Sequence, residues 1–312
     1  MTKSKEYEYN NALEQLNKEL IHTLDSKEFK TGQKKLKLKY AIRHLKFGQI
    51  FIGIKHKIVA SKLKKSHVSN ENFITYDDNI TTDKRIAVYT CITGNYDSLL
   101  EPLIHPDNID YYVITDMNID KNSKWIKIDI NKFEELKKLD NTRKARYAKT
   151  HPHMFFGEYE YSIWVDSNFR IVSDLSKFIK NTNSTVPFAS HWHPYRNCIY
   201  TESIACKMRK KDDEKIINNQ IDFYRKDGMP DNFGLIETNM IVRKHMDEKC
   251  IKIMEEWWNN IIQWSKRDQL SLPYVIWKNG YTMKDFGFIG KNVRENYSVQ
   301  VLLHTSSYKG NY

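Results

Sequence analysis

The 312-residue chain is predicted to be an α/β protein, with a mixed, mostly parallel sheet flanked by helices behind an N-terminal helical, basic extension. Three observations lead there. Apolar runs of strand length recur from Arg85 onward, helical patterns fall between them, and several runs stop at a carboxylate or a turn-former. The clearest is Tyr161-Ser162-Ile163-Trp164-Val165-Asp166-Ser167-Asn168, an apolar strand broken by Asp166-Ser167-Asn168. Ligands of open α/β sheets lie just beyond the carboxyl ends of strands. An Asp there with an oxygen-bearing side chain two residues on can hold a hard divalent cation, which would neutralise a diphosphate.

In chain order, Lys5 to Leu24 reads as a helix with Leu13, Leu16, Leu20 and Ile21 near one face. A basic segment follows, 34–65, in which Leu38, Ile42 and Leu45 recur at helical spacing among lysines and arginines. It suits either an anionic membrane surface or a solvated helix pair. Ser66 to Asp83 is polar and reads as a linker, giving an extension over 1–83 and a main domain over 84–312.

The main domain opens with the strand 85–92 and the turn Thr93-Gly94-Asn95-Tyr96-Asp97. Strands follow at 111–116 and, edge-like, at 125–130. Asn141 to Phe156 is a cation-rich helix, and the Trp164 strand comes next. Further strands are expected at 186–189, 240–242 and 299–303, and an amphipathic helix at 248–266. No internal repeat is visible.

Composition narrows the function classes. Cys91, Cys198, Cys206 and Cys250 form no CxxC pair, too few and scattered for a disulfide framework or a zinc site, which suits a reducing cytosol. Met1 to Asn11 is polar, so no signal peptide is read, and no apolar run reaches a membrane span. The net charge of +11 is local: 29–70 holds twelve Lys or Arg and no Asp or Glu, leaving −1 elsewhere. The main domain is therefore not expected to bind nucleic acid. The expected location is cytoplasmic, peripheral on the inner membrane face if the basic segment binds lipid.

Several constellations can carry chemistry. Asp166 and Asn168 offer metal ligands, with His304 as a third and Lys309 as a point charge for phosphate. Arg143, Arg146 and Lys149 recur at intervals of three and point to one helix face that can meet a diphosphate. Thr93, Asn95 and Tyr96 sit where a base can stack and bond, although neither GxxxxGK[ST] nor GxGxxG is present. His191 and His193 suggest an acceptor loop, with Glu202 on the same wall. Glu237 or Asp268 can be a general base or bind sugar hydroxyls; Asp268 can equally cap a helix starting near Gln269.

Tyr89-Thr90-Cys91-Ile92-Thr93-Gly94-Asn95-Tyr96-Asp97, Arg143 to His153, Trp164-Val165-Asp166-Ser167-Asn168 and His191 to Glu202 together resemble a glycosyltransferase-like domain. That domain is shared by plant mucilage-related and bacterial surface-polysaccharide proteins, and the likeness runs from about Arg85 onward. More distantly, Arg146, Asp166, His304 and Lys309 stand in the order seen in glycogenin-like retaining glycosyltransferases. The resemblance implies a GT-A fold, a UDP-sugar-type donor and Mn²⁺ or Mg²⁺. Asp166 and His304 would ligate the metal, Lys309 would touch the diphosphate, and Thr93, Asn95 and Tyr96 would lie near the base. Asn168 departs from the family, which has a second Asp there. The expected function is sugar transfer to a glycan or lipid-linked acceptor in capsule or lipopolysaccharide synthesis. The alternatives are a catalytically silent GT-A-like module binding glycan or membrane and, from His191 and His193 alone, a zinc-dependent lipid amidohydrolase.

Overall fold

The computed structural model describes residues 3–43 and 84–305. Seven strands form the main sheet: β1 (Ile86–Ile92), β2 (Ile109–Thr115), β3 (Trp125–Asp129), β4 (Tyr161–Val165), β6 (Phe188–Trp192), β7 (Ile236–Arg243) and β8 (Gly287–Phe288). Their order is β3-β2-β1-β4-β7-β6-β8. Pairs β1·β2, β2·β3, β1·β4 and β6·β8 are parallel, whereas β7 runs antiparallel to β4 and β6. The sheet is thus mixed and mostly parallel, the GT-A-type arrangement expected, with β3 at an edge. β5 (Phe169–Ile171) pairs antiparallel with β9 (Val299–Val301) in a separate two-stranded ribbon, so the strand expected at 299–303 lies outside the main sheet.

Every residue of β1 is buried, as a central parallel strand covered on both faces requires. Alternate side chains feed two cores. Tyr89, Trp164 and Ile241 face one core, with Phe156, Trp257 and Leu272. Val88, Ile163 and Val242 face the other, with Leu175, Ile179 and Val299.

The first core is covered by α3 (Asn141–Thr150), α4 (Pro152–Phe155), α7 (Glu248–Gln263) and α8 (Asp268–Lys278). The helix expected over 141–156 is two helices, because Pro152 lacks an N–H and starts a new one after His151. Asp140 caps α3 by accepting from the Arg143 amide at 3.0 Å. α5 (Ile199–Met208) and α6 (Glu214–Lys226) were not foreseen. In α6, Ile217, Gln220 and Tyr224 are buried at helical spacing behind the Asp213 cap.

The extension begins with α1 (Lys3–Asp25) and α2 (Lys27–Arg43). The apolar face read for α1 is only half right: Leu13 and Ile21 are half-buried, whereas Leu16 and Leu20 are exposed. Asn17 is buried instead, its amide donating to the carbonyls of Tyr297 (2.8 Å) and Val299 (3.0 Å). Glu14 accepts from Ser173 and Lys177, each at 2.6 Å. A polar stripe therefore holds α1 against β9. Most of the basic segment, residues 44–65, and the linker expected at 66–83 lie outside the described residues. No helix among the described residues is long and apolar enough to cross a membrane.

Candidate active site

A cavity of about 730 Å³ opens at the C-terminal ends of β1 and β4, beside the N-terminal half of β7. The backbone makes its first wall. Gly94 and Asn95 both have positive φ, 61° and 51°. Gly94 donates its N–H to the Asp116 carboxylate at 3.0 Å, and a Cβ on it would strike the Asn141 amide. The Thr93 hydroxyl donates to the Asn141 carbonyl at 2.9 Å. This ties the turn to the start of α3 and leaves Tyr96 half exposed at the mouth, its ring 5.0 Å from that of His304. Thr93, Gly94, Tyr96 and His304 line the cavity; Asn95 is turned out to solvent.

The floor is a buried charge relay. The Lys149 ammonium, fully buried, lies 3.3 Å from Asp166 and 2.8 Å from Asp268. Asp166 also accepts from the Trp164 indole N–H at 2.9 Å. Asp268 further accepts from the Thr238 hydroxyl at 2.9 Å and faces Arg146 at 3.4 Å. Burial alone would raise the Asp268 carboxyl, but Arg146, Lys149 and Arg267 outweigh it and hold it far below the usual carboxylate range. A carboxylate so held is a poor proton acceptor at neutral pH, so its geometry suits anchoring cations rather than general-base work. Nor does it cap α8, being the first residue of that helix after Arg267.

Glu237 has the opposite environment. Burial pushes its carboxyl upward, against a 3.0 Å hydrogen bond from the Val293 amide and a 3.2 Å contact with Arg294. It lines the same cavity. Of the two candidate acids, Glu237 is the one whose carboxyl is shifted upward rather than held down.

Two other sequence expectations are corrected. Arg143 does not share the cavity face with Arg146 and Lys149. Successive residues of α3 turn by about 100°, so Thr142, Ala145, Arg146 and Lys149 face the cavity. Arg143 pairs with Asp140 at 2.8 Å and donates to the Trp264 carbonyl at 3.1 Å. Asn168 is not among the cavity residues either. Its amide donates to the Leu302 carbonyl at 2.7 Å, and its own carbonyl accepts from the Leu302 amide at 2.9 Å, pinning the stretch after β9.

The expected Mn²⁺ or Mg²⁺ site of Asp166, Asn168 and His304 is not assembled. His304 turns Nδ1 onto Asp97 at 2.7 Å, and Asp97 also accepts from Ser167 and from the Thr305 amide. Burial would raise the Asp97 carboxyl, but these bonds hold it below its ordinary value. With Asn168 elsewhere and Lys149 already on Asp166, the donor set does not fit a hard cation that wants several anionic oxygens. Among the described residues no three His, Cys, Asp or Glu side chains gather as metal ligands. Lys309 lies outside the described residues.

The zinc reading of His191 and His193 fails on the same count. His191 is buried against the Asn296 amide at 3.1 Å, and burial lowers its ring to about 3, so it is neutral. His193 accepts from the Arg196 amide at 3.0 Å beside the buried Arg196–Glu202 pair, so the expected wall from His193 to Glu202 does line the cavity. The sequence placed Lys149 on a cationic face near the Asp166 strand, and the structure makes its acid partners specific: Asp166, 17 residues on, and Asp268. Arg209, Lys211, Lys266, Arg267 and Arg294 also line the cavity and were not singled out as a group.

Comparison with known proteins agrees in kind. The family described as TOD1/MUCI70, glycosyltransferase-like domain, matches residues 56–301, starting ahead of the Arg85 expected. The probable hexosyltransferase MUCI70 of Arabidopsis thaliana is 26% identical over 152 residues, 44% of this chain and 25% of that protein. The chain thus spans about a quarter of the length of that relative. Among solved structures, the bifunctional glycosyltransferase WbbM in its apo form aligns over 68% of this chain and 40% of that one, at a TM-score of 0.39 and 12% identity.

Proposed function

This chain belongs to the TOD1/MUCI70 glycosyltransferase-like family and is a transferase, and we propose that it moves a hexose from a nucleoside diphosphate sugar, UDP-linked by preference, to a glycan or lipid-linked glycan of a surface polysaccharide. The observation that carries this reading is the floor Asp166–Lys149–Asp268, set at the strand ends where such ligands lie. In the proposed complex the base stacks on Tyr96, the diphosphate lies between His304 and the Asp166–Lys149 pair, and the hexose reaches Asp268 and Glu237. The acceptor hydroxyl gives its proton to Glu237 while its oxygen bonds to the anomeric carbon. The bond from that carbon to the phosphate oxygen breaks, and its electron pair leaves with the diphosphate. Arg146 and Lys149 stabilise that developing charge from a preorganised position.

Because the metal ligands are not assembled, we assign this neutralisation to side chains, and transfer is expected to survive chelation. Calorimetry with UDP, GDP and CMP, each with and without EDTA, tests both parts. UDP binding that EDTA leaves unchanged supports the reading; no binding of any nucleotide overturns it and leaves the silent binding module. The proposed contact of 34–65 with an anionic membrane rests on its charge alone. Co-sedimentation of the full chain with phosphatidylserine vesicles tests it, and pelleting that is insensitive to salt would argue against it.

A further inference from the structure

Charge in the cavity is not balanced. Eight Lys or Arg side chains line it against four Asp or Glu. All four acids are already paired: Asp166 with Lys149, Asp268 with Lys149 and Arg146, Glu202 with Arg196, and Glu237 with Arg294. The four remaining cations, Arg209, Lys211, Lys266 and Arg267, have no carboxylate in salt-bridge reach among the described residues. Arg267 lies in the field of Asp268 and Glu202, and Lys266 in that of Asp140, without direct pairing; the acids next in sequence to Arg209 and Lys211 are engaged elsewhere. Asp212 accepts from the Ser265 hydroxyl at 2.7 Å and the Lys266 amide at 2.9 Å, and Asp213 caps α6.

This surplus is not ambient. Outside 29–70 the chain carries a net −1, so a surplus of four in one cavity is a local concentration. Partial burial, Arg267 and Arg209 together push the Lys211 ammonium down, with no carboxylate among the causes. The buried Nε of Arg267 has no hydrogen-bond partner. Like charges held this close destabilise the empty site and favour an anion.

Contacts order the cavity from end to end. Tyr96 touches His304, His304 leads through Asp97 to Ser167 beside Asp166, and Asp166 leads through Lys149 to Asp268. Arg267 immediately precedes Asp268 in sequence and interacts with Cys206 and with Lys211. Arg267, Lys211 and Arg209 therefore lie beyond Asp268 along this run of contacts, away from Tyr96, whereas Lys266 lies toward Asp140 at the start of α3. Taking the donor to occupy the Tyr96 end, as proposed above, we infer that this rim is the acceptor subsite and that the acceptor sugar carries an acid, a carboxylate or a phosphate, which these cations bind.

Glucose, glucuronate and glucose 6-phosphate are the probes, identical in ring and different in charge. Their binding is measured by calorimetry, with and without saturating UDP, on the wild type and on the Arg209→Ala/Lys211→Ala double variant. Both substituted side chains are solvent-exposed, so the variant is expected to fold. The expected result is that at least one acidic sugar binds about tenfold or more tighter than glucose, that UDP leaves this preference in place, and that the double variant loses it. The better of the two acids identifies the group. Equal binding of all three sugars overturns the inference. So does competition between UDP and the acidic sugar, which would give the rim to the donor diphosphate. If UDP itself fails to bind, the donor reading falls, and the sugar series alone still decides whether the rim selects acids.

Discussion

The floor and the rim of this cavity handle charge in opposite ways. At the floor, Lys149 and Asp268 are almost wholly out of water, and each is paired within 3.3 Å. At the rim, Arg209 and Lys211 are exposed and unpaired. A buried ion must be compensated by the protein itself, because the cost of stripping its water is several kcal/mol. An exposed one is compensated by solvent until a ligand arrives. The floor is therefore built to hold shape and field, and the rim is built to be used by something else.

That contrast can be broken by substitution. Lys149→Ala leaves Asp268 buried beside Arg146 with its closest partner gone. It is expected to cost about 3–5 kcal/mol of stability, read as a lowered urea midpoint, and to abolish transfer. If the variant keeps full stability, the floor is not the compensated ion cluster described here. Asp268→Asn sharpens the same point through pH. The folded carboxyl is depressed below its unfolded value of about 3.9. Its stabilisation is thus fully present above that value and lost as pH falls below it. Urea midpoints of wild type and variant should converge on acidification below about pH 4; a gap that stays constant would contradict the assignment.

Tyr96→Ala is expected to weaken UDP binding about tenfold, the size of one base–aromatic stack, with stability unchanged. The smallest effect belongs to the rim. Arg209→Ala/Lys211→Ala should move stability by no more than about 0.5 kcal/mol. A larger loss would mean that these cations are structural after all.

Much of the fold was legible because its strands are apolar runs that end sharply. The strands from Ile86 and Tyr161 fall within a residue or two of where pattern puts them, since burial on both faces makes them near-continuous apolar runs; the half-exposed edge strand from Trp125 falls as close. The three-residue β5 and two-residue β8 are too short to show a period. The buried end of α5 is hidden among polar residues. Glu202 was expected on the cavity wall, but its buried pairing with Arg196 carries no local sequence signal.

The site was legible as far as Asp166 and the turn at Thr93, which local chemistry marks. It was not legible at Asn168, whose amide is engaged by a backbone carbonyl 134 residues away. Nor was it legible at Arg143, where a spacing of three was read as one face although the cavity selects the neighbouring stripe. The cations at 209, 211, 266 and 267 come from two loops distant in sequence. Nothing in either segment says that the other faces the same space.

The docking of Asn17 on the carbonyls of Tyr297 and Val299 reaches further than the first helix. Three residues beyond β9 stands His304, held to Asp97 in the cavity mouth. The first helix is therefore a brace for the segment that walls the nucleotide end, although some 280 residues separate them. Helix α1 and the segment after β9 are thus mechanically linked. Removing α1, or drawing it toward another surface, pulls on the same segment that carries His304.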